Sequence, residues 1–88
     1  MLRRFAVTLF VALDTRGLVR LRLGDFGHAV SDYNEALKLQ PHNPWSLYGR
    51  GLAEGRQKNT TASEGDMAAA SALAPHIADE FKKLGLTP

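Results

Sequence analysis

Arg16 to Pro41 reads RGLVRLRLGDFGHAVSDYNEALKLQP, and 34 residues further on, Arg50 to Pro75 reads RGLAEGRQKNTTASEGDMAAASALAP. Gly17, Gly51 and Gly85 keep that step, each followed by a leucine: Leu18, Leu52 and Leu86. Arg16 with Arg50, Arg22 with Arg56, Asp32 with Asp66, Ala36 with Ala70, Leu39 with Leu73, Pro41 with Pro75 and His42 with His76 fall into the same columns. A period of this length suits two helices joined by a tight turn and followed by a connecting turn. Chains built from such units present a surface, because each unit buries its apolar face only against its neighbours.

Local signals divide the chain into helices. Val11, Leu13, Leu18, Val19, Leu21 and Leu23 recur at helical spacings and predict a first helix over 11–23, ended by Gly24-Asp25. Asp25 is expected to cap a second helix from Phe26 to Leu39, whose apolar face is Phe26, Ala29, Val30, Tyr33, Ala36, Leu37 and Leu39. Gln40-Pro41 stops it, and Asn43-Pro44 starts a third helix that runs to about Gln57. Thr61 and Glu64 have capping-box spacing and predict a fourth helix over 62–73. Ile77, Phe81 and Leu84 share one face of a short fifth helix closed by Gly85.

The stretch from Arg16 to Pro41 resembles the tetratricopeptide repeat. Gly17, the Gly24-Asp25-Phe26 turn, Ala29, Tyr33, Ala36, Leu39 and Pro41 carry the match. The second copy keeps Gly51, Ala70, Leu73 and Pro75 but has Ser63 for Ala29, Met67 for Tyr33 and Lys58-Asn59-Thr60 at the turn. The resemblance implies an all-α fold of antiparallel helix-turn-helix repeats stacked as a short right-handed superhelical solenoid. It divides the chain into a basic-apolar segment (1–9), a first repeat (10–43), a second, degenerate repeat (44–77) and a capping helix with its tail (78–88). Gly17, Ala29, Tyr33, Ala36, Gly51, Met67 and Ala70 are then packing residues. Arg16 and Arg50 stand where the family is often apolar, and their stems can cover apolar surface while the guanidinium groups reach water or a carboxylate.

The same resemblance implies a partner groove along the first helix of each unit. Transferred to this chain, its face is Val11, Asp14, Thr15, Leu18 and Arg22, continued by Trp45, Tyr48, Gly49, Leu52 and Arg56. Arginine and large aromatic side chains are frequent interface anchors, which singles out Arg22, Trp45, Tyr48 and Arg56. Trp45 also has a purely structural reading, packed on the preceding loop. The expected partner is a protein or peptide of net acidic character. The lysine and asparagine with which some members hold a terminal carboxylate have no counterpart, since Asp14, Leu18 and Gly49 occupy the positions compared.

Composition narrows the alternatives. The 88 residues make one small domain, and the absence of cysteine removes disulfides, thiol nucleophiles and sulfur-ligated metals. A net charge of +2 is spread among interleaved acids, which argues against nucleic acid as the partner. His28, His42 and His76 lie on separate elements without metal-ligand spacing, so neither a metal nor a cofactor is expected. No glycine-flanked serine, phosphate-cradling loop or paired acid and base points to an enzyme.

Residues 1–13, MLRRFAVTLFVAL, sustain two readings. The apolar run from Phe5 to Leu13 is far shorter than the roughly 20 residues of a membrane span. As an export signal it lacks small residues at a cleavage site, since cutting after Ala12 leaves Phe10 where a small side chain is needed. Either it packs on the repeats, or drives self-association, in a cytoplasmic interaction module; or it serves as anchor or signal for a membrane-surface or exported protein. Two units and a cap sit near the lower size limit for such a stack, as a piece of a longer array would.

Overall fold

The structure, a computed structural model, describes residues 2–88; Met1, the first residue of the basic-apolar segment, lies outside the described residues. Five helices follow one another among them: α1 (Leu2–Arg22), α2 (Phe26–Leu39), α3 (Pro44–Arg56), α4 (Thr60–Leu73) and α5 (Ile77–Lys83). No strand occurs among the described residues. α1 packs on α2 and α3 on α4 as two antiparallel hairpins, α2 joins them by packing on α3, and α5 lies against the second hairpin.

The turns show how the period is written into the backbone. Gly24 takes φ 80°, and Asp25 N donates to Arg20 O at 2.8 Å, which satisfies a carbonyl left open at the end of α1. One period later Lys58 takes φ 64°, and Asn59 N donates to Glu54 O at 2.9 Å. The second turn therefore keeps the left-handed residue of the first without the glycine that makes this conformation easy. Asn43 caps α3 as its sequence predicts, its side chain accepting from Trp45 N and Ser46 N, with Pro44 opening the helix.

Three local expectations are corrected. Asp25 precedes α2 but makes no side-chain cap bond; its carboxylate instead meets His28 Nδ1 at 2.9 Å. The capping box at Thr61 and Glu64 is not formed, because the turn at Lys58 starts α4 at Thr60, leaving Thr61 already inside the helix. Residues 2–9 do not fold back over the first unit. They extend α1 as one unbroken helix, since no glycine or proline stands between Leu2 and Arg16 to stop it. Along α1, Phe10, Gly17 and Leu21 face inward, whereas Phe5 is 71% exposed and Val7, Leu9 and Val11 are also exposed.

The core collects Leu21, Ala29, Tyr33, Leu37, Leu47, Tyr48, Leu52, Ala53, Ala70, Ile77 and Phe81. Tyr33 joins the two hairpins. A Cβ built on Gly17 would lie 3.1 Å from its ring on one side, and one built on Gly49 would press on the same ring from α3. In the second unit Gly51 faces Met67 in the matching arrangement, its notional Cβ 3.0 Å from Met67 Cγ. Ala29, Ala36 and Ala70 are fully buried, as close helix approach requires.

Candidate functional site

An ion pair repeats with the helices. Arg16 forks onto Asp32 through Nε at 2.9 Å and Nη2 at 2.8 Å, and Arg50 forks onto Asp66 at 2.7 and 2.8 Å. Each pair fastens the first helix of a hairpin to the second, which fixes the surface that the first helices present. The column between them reverses its charge. Arg20 donates to Asp32 at 2.9 Å, but its counterpart one period on is Glu54, whose Oε1 is buried without a hydrogen-bond partner.

Burial pushes the Glu54 carboxyl up to about 8, and the adjoining Asp66 carboxylate adds to the rise while Arg50 opposes it. Burial also disfavours ionised Asp66, yet bonds from Arg50 and Glu54 hold it below the ordinary carboxylate value. Glu54 thus keeps its proton and lends it to Asp66. In the unfolded chain Glu54 ionises near 4.5, so between there and about 8 the folded state holds the additional proton. Its contribution is full below the lower value and is lost as pH rises through the upper one. The site is near the surface and screened, so the expected loss of stability over that window is about 1–2 kcal/mol. Urea unfolding at stepped pH measures it. Glu54→Gln should flatten the slope, and an unchanged slope would place the titrating group elsewhere.

The expected groove residues separate into three places. Asp14 accepts from the buried Ser46 Oγ at 2.7 Å, tying α1 to α3, and burial raises its carboxyl despite that bond. Trp45, 38% exposed, and buried Tyr48 both stack on Phe81 of α5, with ring centroids 5.1 and 4.8 Å away. Tyr48 is therefore covered by the chain itself, which takes it off the open surface. Trp45 thus packs on the cap. Leu18 is half-buried against the core.

Arg22 and Arg56 are brought together. Both line a cavity of ≈ 190 Å³ with Leu21, Phe26 and Leu52. Arg56 and Leu52 also line a neighbouring cavity of ≈ 340 Å³ that continues toward Ser63, Glu64 and Met67. The result is a cleft at the turn end of the first helices, with apolar walls and two exposed guanidinium groups. Sequence spacing found both arginines, because the 34-residue step places them equivalently on α1 and α3. It placed Gly49 on the groove face, whereas Gly49 is buried and admits the Tyr33 ring; nothing local to Gly49 announces a partner 16 residues away.

No group of three or more histidine, aspartate or glutamate side chains that could hold a metal occurs among the described residues. No helix among them is long and apolar enough to cross a membrane.

Residues 17–58 match the family model of the TPR repeat. No curated protein and no solved structure matches the chain significantly. Repeats of this family generally mediate protein-protein interaction and are generally non-catalytic scaffolds.

Proposed function

Since the chain is a tetratricopeptide-repeat protein, we propose that it is a non-catalytic module that binds an acidic segment of a partner protein in the cleft between α1 and α3. The observation that carries this reading is the convergence of Arg22 and Arg56 on one cavity beside Leu52. Two guanidinium groups on apolar ground favour a carboxylate, because each offers several donors in a planar fork and the ground lowers the local dielectric. Asp14 lines neither cavity; its carboxylate accepts from Ser46. The test is fluorescence anisotropy against a panel of acidic, neutral and basic peptides at several salt concentrations. Arg22→Ala with Arg56→Ala should weaken acidic-peptide binding about tenfold or more and flatten its salt dependence. Lys82→Ala with Lys83→Ala, on the exposed side of α5, should change it far less. Equal losses from the two pairs would mean that binding follows net charge.

A second reading rests on the amino-terminal turns of α1. Arg3 and Arg4 precede exposed Phe5, Val7, Leu9 and Val11, a basic and apolar helix end of the kind that lies on anionic lipid surfaces. Co-sedimentation with phosphatidylserine vesicles, lost in a Phe5→Ser, Val7→Ser variant, would favour this membrane-surface role. Absence of binding at low salt would dismiss it.

A further inference from the structure

The chain's own tail forms one side of the cleft. Past α5, Gly85 takes φ 78° and turns the chain so that residues 86–88 lie beside the last turns of α3. Leu86 packs on the core and lines the arginine cavity with Leu21, Phe26 and Leu52. Arg56 Nη2 donates to Thr87 O at 3.2 Å, and Pro88 reaches the adjoining cavity beside Leu52 and Met67. The tail thus puts one leucine side chain on the apolar wall and one oxygen on the arginine, the two kinds of contact that an incoming segment would make there.

We infer that residues 86–88 are a displaceable cis occupant of this cleft, and that the partner segment that evicts them carries a leucine followed closely by a carboxylate. The inference rests on the interaction reading above and specifies the chemistry of its ligand. Residues 86–88 are held by half-buried Leu86, by the bond from Leu86 N to Phe81 O at 3.0 Å, and by one exposed bond from Arg56 to the neutral carbonyl of Thr87. A carboxylate in place of that carbonyl forms a charge-assisted bond, which is shorter and stronger, and Arg22 stands at the same cavity to take a share of the charge. Gly85 supplies the hinge. Its left-handed conformation ends α5 before the tail begins, so the tail can leave while Ile77 and Phe81 stay buried. Binding is then weakened by the fraction of time the tail fills the cleft, and loosening the tail recovers that factor.

The chain contains no cysteine, so Thr87→Cys offers a single attachment point for an environment-sensitive fluorophore. The main-chain oxygen that Arg56 holds is retained in that variant. The ligand is a synthetic peptide with Leu-Glu in a Gly/Ser context, with Leu-Gln and Ser-Glu peptides as controls. On the full chain, the Leu-Glu peptide should shift the fluorophore signal with the same midpoint as its binding measured by anisotropy. Leu86→Ser, checked for an unchanged helical circular dichroism spectrum, should bind that peptide roughly tenfold more tightly. Arg56→Ala should lose the gain. If the peptide binds through Arg22 and Arg56 but the fluorophore does not respond and Leu86→Ser binds no better, the tail is structural and this inference falls while the interaction reading stands. If neither form binds any acidic peptide, both fall. A Thr87-labelled chain whose signal depends on protein concentration would show the tail exchanged between two copies and would overturn the cis assignment.

Discussion

Phe81→Ala is expected to cost about 3–5 kcal/mol of folding stability, the usual range for emptying a buried phenylalanine site. Phe81 is 1% exposed and carries both aromatic contacts that join α5 to α3. At seven residues, α5 is far below the length at which an isolated helix persists, so it exists only while Ile77 and Phe81 are buried. A domain of this size has about 5–15 kcal/mol in all, and the substitution removes a large share of it. Release of α5 would take the tail with it and open Tyr48, Trp45 and Leu52 to water. Trp45 is the only tryptophan, so its emission should shift to longer wavelength while the α1–α2 hairpin keeps its helical signal. Urea unfolding followed at both signals makes the measurement. Phe81→Leu, which keeps an apolar side chain at the site, should recover much of the loss. An unchanged unfolding midpoint together with unchanged Trp45 emission would mean that α5 does not cover α3 in solution.

What the sequence made legible was what the repeat writes locally. The prolines at 41 and 75, the Asn43-Pro44 start and the left-handed residues at Gly24 and Gly85 act within a few residues of themselves, and they place the helix ends. The amino-terminal turns are not legible in this way, for the opposite reason. Their apolar residues lie on several sides of the helix, so periodicity gave no single buried face, and only the absence of a breaker indicates continuous helix.

Long-range pairings were the illegible part of the site. Arg20 and Glu54 share a column, so the reversal of charge is visible in the aligned copies. That Glu54 then meets a second carboxylate follows only once α4 brings Asp66 beside Arg50. The tail is similar. Leu86 continues the Leu18 and Leu52 column, yet Gly85 diverts it from a third helix into the cleft between the first two. A column in a repeat predicts equivalent position only while the repeat continues.

Gly49→Ala should cost about 2 kcal/mol, although adding a methyl to a mid-helix glycine normally stabilises by up to about 1 kcal/mol through helix propensity. The added Cβ would lie 2.8 Å from Tyr33 Cε2 and closer still to Cζ and Oη. The ring has little room to move, because Tyr33 is 1% exposed and Gly17 of α1 already approaches the same ring closely. Overpacking must therefore push α1 and α3 apart, the two helices that hold Arg22 and Arg56, so affinity for the acidic peptide should fall along with stability. Two other glycines calibrate the effect. At Gly51 the new Cβ meets Met67 Cγ at 3.0 Å, a flexible chain that can turn aside, although Ser63 O at 3.2 Å cannot, so Gly51→Ala should cost less. At Gly65 it meets nothing within 4 Å, and Gly65→Ala on exposed α4 should raise the urea midpoint. The order Gly49 below Gly51 below Gly65 is the result that tests the packing of Tyr33. If Gly49→Ala were as benign as Gly65→Ala, the tyrosine would not be wedged between the two hairpins, and the approach of α1 to α3 that forms the cleft would need another cause.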